Sequence, residues 1–182
     1  MQTETFVGLD GGLKGGSLSL INLIDNLETS IADPSAGLPE DLFLFVSRIT
    51  PIINVDLLVK NEPGGTLLTW RDDGYYPPGW HVPGGIIRYK ETFADRISAV
   101  ARTELGAEVD FNPTPLAINE VIHARRKNRG HFISLLYRCT LVSPPDEILH
   151  CKNSFPKPGE WKWHNECPGN IIKVHEMYRK FI

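Results

Sequence analysis

The sequence predicts an α/β (α+β) fold, a mixed β-sheet sandwiched between helices. Short apolar runs such as INVDLLVK and TLLTWR, bounded by turn residues, read as strands. A stretch of helical period, Thr92 to Leu105, lies between two groups of such runs. Strands and helices are mixed along the chain, hence a sandwich of sheet between helices. With 182 residues, 41% of them hydrophobic, the chain is long enough for one domain with a real core plus an extension.

The first 37 residues form that extension. LDGGLKGGSLSL is Gly-rich, and DPSAGLP is a linker-like break. Between them, Leu20, Ile24, Leu27 and Ile31 recur at helical spacing over Leu18 to Ile31. Two readings stay open for this segment: an amphipathic arm packed on a partner subunit, or a flexible tail. A domain then runs from Leu38 to Ile182. PEDLFLFVSRI, with Pro39 at its start and acids in its first turn, reads as a short helix stopped by Pro51. INVDLLVK and TLLTWR are strands joined through Pro63-Gly64-Gly65, and Asp72 to Pro78 is a polar loop. The helix from Thr92 ends at Gly106. AINEVIHARR and HFISLLYRCTLV are strands around the turn Lys127-Asn128-Arg129-Gly130. Ser143 to Gly159 is a long loop with four prolines, EWKWH a short strand, and Asn170 to Phe181 a final helix.

A net charge of −3 disfavours a nucleic-acid binder that works through phosphate contacts. Cys139, Cys151 and Cys167 are odd in number and lack metal-type spacing, so they read as reduced thiols of a cytoplasmic protein. No apolar run approaches the roughly 20 residues of a membrane span, and no signal pattern opens the chain.

Chemistry concentrates in HVPGGIIRYKETFADRISAVARTELGAEV, residues 81–109. Phe93, Ile97, Val100, Ala101 and Leu105 make one apolar stripe of the helix, and Glu104, seven residues after Ile97, falls on its rim. A carboxylate there needs a partner, whether an arginine, a backbone amide or a metal ion. Gly84 and Gly85 let the main chain approach a ligand and expose carbonyl oxygens. A carbonyl and a carboxylate suit Mg²⁺, which uses few protein groups and keeps several waters. VPGG by itself also reads as a plain tight turn.

Gly85, five residues, Glu91, then seven residues and a stretch ending Glu104-Leu105-Gly106 resemble the Nudix hydrolase signature. Ala99, Val100 and Thr103 stand where the signature has Arg, Glu and the first of two paired Glu. The GDP-mannose mannosyl hydrolases depart from the signature in a similar way at both Glu positions. The flanks also resemble that subgroup: Arg48, Thr50, Pro51 and Asp56 upstream, Arg71 and Trp80 before VPGG, and Val174-His175 followed by Arg179 and Phe181 at the far end.

The resemblance implies Mg²⁺-dependent hydrolysis of a nucleotide sugar, with water attacking the anomeric carbon and the nucleoside diphosphate leaving. It assigns the metal to Glu104 and the Gly85 carbonyl, with Glu91 as a further candidate ligand. It assigns Asp56 to the sugar or nucleotide and Arg71 to the diphosphate; by residue type, Arg71 equally fits an ion pair with Asp72 or Asp73. His150 and Glu160 are the nearest candidates for the base, because the subgroup's Gln-His pair is missing. Tyr75 or Tyr76 would stack on the base, while Trp80 reads as core. Arg125 and Arg126 would replace cations lost at Ile86 and Ala99, or else form the solvated face of a hairpin turn. The resemblance further implies a homodimer. Two alternatives stay open: a pyrophosphohydrolase attacking phosphorus, and a non-catalytic binder of the same fold.

Overall fold

The computed structural model describes residues 19–182. The chain divides into two compact units, Met1–Asp33 and Pro34–Ile182. In the first, helix α1 (Leu20–Thr29) is capped by Ser19, whose side chain accepts from the Asn22 amide, and none of its residues is buried. The Gly-rich stretch and Leu18 of the expected arm lie outside the described residues.

The second unit opens with α2 (Glu40–Val46) behind Pro39. Strands β1 (Ile52–Val59), β2 (Thr66–Arg71), β3 (Gly79–His81), β4 (Gly84–Ile86), β5 (Val109–Phe111), β6 (Ala117–Ile122), β7 (His131–Leu141) and β8 (Trp161–His164) build two sheets, and helix α3 spans Phe93–Val100. The larger sheet is mixed. β1 pairs in parallel with β7 and antiparallel with β4, while β5 and β6 share the far side of β7. The smaller sheet is antiparallel, ordered β3-β2-β8. No described helix is long and apolar enough to cross a membrane.

Alternation along β1 divides the interior. Val55, Leu57 and Val59 join Leu135, Tyr137 and Cys139 of β7 in one cluster beneath Ile97, Val100, Ala101 and Leu105. The opposite face turns Leu58 and Leu136 towards Leu68, Trp80, Val82 and Tyr178 in a second cluster. Asn54, Asp56 and Ser134 lie on that same opposite face, and they mark where the functional cavity begins.

The strands too short to show a period (β3, β4 and β5) were not resolved from the sequence, and two helices differ from their expected form. The central helix is α-helical only to Val100 and continues as a π-turn, Ala101–Leu105, before Gly106 closes it with φ of 61°. Its start carries a full capping box between Thr92 and Asp95. The expected C-terminal helix is a 3-10 turn, Lys173–Tyr178. Phe93, which the helical stripe places in the core, is 48% exposed, whereas Ile97 is fully buried. Ile97→Ala is therefore expected to cost about 2–5 kcal/mol in denaturant unfolding. Phe93→Ala should cost about 1 kcal/mol or less.

Candidate functional site

A cavity of about 470 Å³ opens on the polar face of β1 and β7. Asn54, Asp56 and Ser134 lie on the side of the large sheet, with Thr69 and Arg71 of β2, His81 of β3 and the glycine turn opposite. The π-turn contributes Glu104, and the final 3-10 turn contributes His175. Tyr75, Tyr76, Arg126 and Arg129 complete the lining.

Glu104 meets the glycine turn directly. Its Oε1 accepts from the Gly84 amide at 3.1 Å and its Oε2 from Thr69 Oγ1 at 3.0 Å. Burial pushes its carboxyl up to about 7, against the pull of these two donors and of Arg71. His81 completes the chain. Its Nδ1 lies 2.9 Å from the Val82 carbonyl, which can only accept, so Nδ1 carries the proton and Nε2 is bare. Nε2 lies 2.9 Å from Thr69 Oγ1. A single hydroxyl proton cannot serve both Glu104 and His81. When Glu104 is protonated, the carboxyl serves the hydroxyl and the hydroxyl serves His81. Burial also holds His81 down at about 3, so the ring stays neutral.

The strand register corrects one expected ligand. Leu57 donates to the Pro83 carbonyl, and Ile87 donates to the Ile53 carbonyl. Odd residues of the turn thus face β1, and even ones face away. Gly85, opposite Val55, turns its carbonyl into the sheet. Gly84, whose amide meets Glu104, turns its carbonyl to the Glu104 side. Glycine is required here for a second reason: a Cβ on Gly84 would lie 2.2 Å from Asp56 Oδ1.

Asp56 is the second buried acid. Its Oδ2 accepts from Ser134 Oγ and, at 2.5 Å, from Tyr178 Oη, and its Oδ1 accepts from Asn54 Nδ2 at 3.0 Å. Burial raises it to about 6 despite these three donors, because none of them carries a charge.

The remaining expected residues divide between the cavity and its surroundings. Arg71 lines the cavity and is paired with Asp73, its Nε 2.6 Å from Oδ2. Tyr75 and Tyr76 line it too, but their faces are already covered. Arg129 sits 4.2 Å from the Tyr75 ring and Arg126 4.3 Å from the Tyr76 ring. Arg126 also donates to the Tyr75 carbonyl. Trp80 is core. Arg125 is exposed and stands outside the lining. His150 lies outside as well, stacked on Trp161 at 4.2 Å with the rings 2° from parallel and bonded to Glu147. Glu160 accepts the Lys157 amide instead of reaching the cavity. Glu91 is removed as a metal candidate by a two-point clamp from Arg96, 2.7 and 2.8 Å, with the Arg88 amide as a third donor. Arg96 thereby takes the place of the arginine absent at Ala99.

Thr69, His81, Ser134, His175 and Tyr178 were not singled out as site residues. Ser134, a hydroxyl in an otherwise apolar stretch of strand, and Val174-His175 within the resemblance were the available signals. Thr69 carried none, since a threonine in a strand is ordinary.

Among the described residues, no three His, Cys, Asp or Glu side chains converge as a ready metal cluster. The hard oxygens available there are the Glu104 carboxylate, which meets the Gly84 amide, and the Gly84 carbonyl, which the strand register leaves unpaired with β1. That set fits one Mg²⁺ whose other positions are filled by water and ligand oxygens. It does not fit a multi-ion site, because Thr103 and the buried Val100 occupy the positions that would supply further acids.

The two raised acids set the pH response of the metal-free protein. Each binds its proton more tightly folded than unfolded, so stability is greatest below the unfolded values of 3.8 and 4.5. It falls as pH rises through about 6 for Asp56 and about 7 for Glu104. Denaturant unfolding in EDTA between pH 4 and 8 should trace this decline, with Asp56 contributing up to about 3 kcal/mol. Asp56→Asn should flatten the part between pH 4 and 6.

Residues 50–173 match the family model for the NUDIX domain. Solved structures share the fold. A MutT NUDIX hydrolase from Burkholderia pseudomallei superimposes with a TM-score of 0.58 at 16% identity, over 73% of this chain and 98% of that one. A NUDIX hydrolase from Nitrosomonas europaea gives 0.53 at 19% identity, over 72% and 73%. The low-salt glycan biosynthesis protein Agl8 of Haloferax volcanii is 36% identical over 76 residues, 42% of this chain and 48% of that protein. The chain thus spans about half the length of this curated relative. A domain match over more than half the chain, with the fold to accompany it, makes this protein a member of the Nudix family.

Proposed function

We propose that the protein hydrolyses a nucleotide sugar of the GDP-mannose kind with Mg²⁺, releasing a nucleoside diphosphate and the free sugar. The observation that carries this reading is that, of the two carboxylates beside the glycine turn, only Glu104 bonds to it, while Asp56 is held by Ser134, Tyr178 and Asn54. Attack at phosphorus through paired ions calls for several acids around the metal, and among the described residues no three such side chains converge. Attack at the anomeric carbon asks less, since the metal has only to assist a departing diphosphate. The relative named for glycan biosynthesis supports a sugar-linked substrate.

Glu104 and the Gly84 carbonyl would hold the ion, whose chemistry when bound is to neutralise charge on the leaving diphosphate. Arg71 exchanges Asp73 for a diphosphate oxygen, a contact its planar fork suits. Arg126 adds a further cation from the hairpin. Asp56 takes the proton from the attacking water. With an affinity near pH 6 it is ionised at neutral pH yet still a useful base. Ser134 and Tyr178 hold its other oxygen and fix its aim. Water's oxygen joins the anomeric carbon, the bond to the diphosphate breaks, and the configuration inverts.

The placement of His150 and Glu160 outside the cavity favours a second reading, a non-catalytic binder. A panel of nucleoside diphosphate derivatives with Mg²⁺ separates the two: turnover sustains the hydrolase, while calorimetric binding without turnover sustains the binder. In ¹⁸O water the label should enter the free sugar; label in a nucleoside phosphate would instead establish attack at phosphorus. Glu104→Gln should lower kcat/KM by more than about 100-fold, and an effect below tenfold removes Glu104 from the metal site.

A further inference from the structure

His175 stands in the cavity but has no part in the chemistry described so far. Its Nδ1 lies 3.0 Å from the backbone nitrogen of Val82, which can only donate. Nδ1 is therefore bare, and in the neutral ring the proton sits on Nε2. Nε2 has no acceptor among the described residues, and it is not sealed off as a buried atom without a partner. The ring lines the cavity together with Arg71 and Met177. Tyr178 packs edge-on against it at 5.2 Å and His81 lies 5.8 Å away, so it cannot swing aside. The two histidines hold Val82 from opposite ends of one residue: His81 takes its carbonyl and His175 its amide.

We propose that His175 is a substrate-binding residue whose Nε2–H donates to a phosphoryl oxygen of the ligand, beside the Arg71 guanidinium. The choice of a phosphoryl oxygen follows from charge. Arg71 is close enough for its field to act on His175, so an acceptor between them is favoured when it is anionic. Burial and Arg71 hold the ring near 3, so this donor is neutral at neutral pH. A neutral donor positions an oxygen without adding charge that must be screened in the empty cavity. The Val82 contact gives a further consequence. A ligand gripped by His175 is tied through two residues of backbone to Gly84, the turn that carries the metal-facing carbonyl. The inference shares its diphosphate with the proposed function, but it concerns binding and stands apart from turnover.

The test uses the full chain labelled with ¹⁵N-histidine. Long-range ¹H–¹⁵N spectra should report His175 as the Nε2–H tautomer, unchanged from pH 5 to 8. Adding inorganic pyrophosphate with Mg²⁺ should shift the Nε2 resonance. Calorimetry should give His175→Leu roughly tenfold weaker binding of the same probe, the size expected for one hydrogen bond to a charged acceptor. His175→Gln, which keeps an acceptor for Val82 and a donor for the ligand, should stay within about threefold. The proposal is overturned by a proton on Nδ1, by titration of the ring within that range, by pyrophosphate that binds without moving Nε2, or by failure of pyrophosphate to bind. The first two outcomes are read on the wild-type protein and need no variant to fold. A pyrophosphate response at Nε2 without turnover of any nucleotide sugar would leave His175 as proposed and sink only the hydrolase.

Discussion

The carboxylate of Glu104 joins three parts of the molecule that have no covalent reason to meet. It accepts from the Gly84 amide on an edge strand of the large sheet and from the Thr69 hydroxyl on the middle strand of the small sheet, and it is itself carried by the π-turn that ends the central helix. Each contact to a charged oxygen contributes on the order of 1.5–3 kcal/mol, and leaving that oxygen unpaired would cost a comparable amount. The cavity exists because these three parts are held at this separation. The π-turn matters here. It ends the helix with Leu105 buried in the core and Glu104 lining the cavity.

Desolvation gives the site its chemical character. Both acids in the cavity are surrounded by neutral donors, and their carboxyls are raised for the same reason. Arg71, the cation whose charge acts on both, is occupied by Asp73. Glu91 is the contrast: an acid of the same signature, fully committed to Arg96, and therefore a structural ion pair that braces the start of α3. The position of an acid in the motif does not decide its role. Whether a guanidinium reaches it does.

Two buried histidines do opposite work within the same few ångströms. His81 presents a bare nitrogen to Thr69, while His175 presents a protonated one to the cavity. The difference arises from the backbone atom each ring meets on Val82. Neither ring serves as a base: burial holds both imidazoles down at about 3, and His175 Nε2 already carries its proton. That leaves Asp56 as the second buried carboxylate of the cavity beside Glu104.

The sequence alone determined the class of fold, the principal strands and the central helix with its glycine stop, and it singled out Glu104 and the glycine turn. These are local matters of period, turn chemistry and motif spacing, and they survive in one dimension. It also pointed to Asp56 and Arg71, both of which line the cavity, through flanking resemblance and not through any property of an aspartate or arginine in a strand. What only the tertiary structure decided was pairing across distance. Gly84 and not Gly85 meets Glu104 because strand register sets which backbone groups face away from β1. Arg96 claimed Glu91 because a five-residue separation across a loop brought their side chains together. His150 and Glu160 dropped out because a long loop packs against Trp161 and not over the cavity. Thr69, Ser134, His175 and Tyr178 became visible only when four distant segments converged. A hydrogen bond between residues 122 positions apart, such as Tyr178 to Asp56, leaves no mark in the neighbourhood of either.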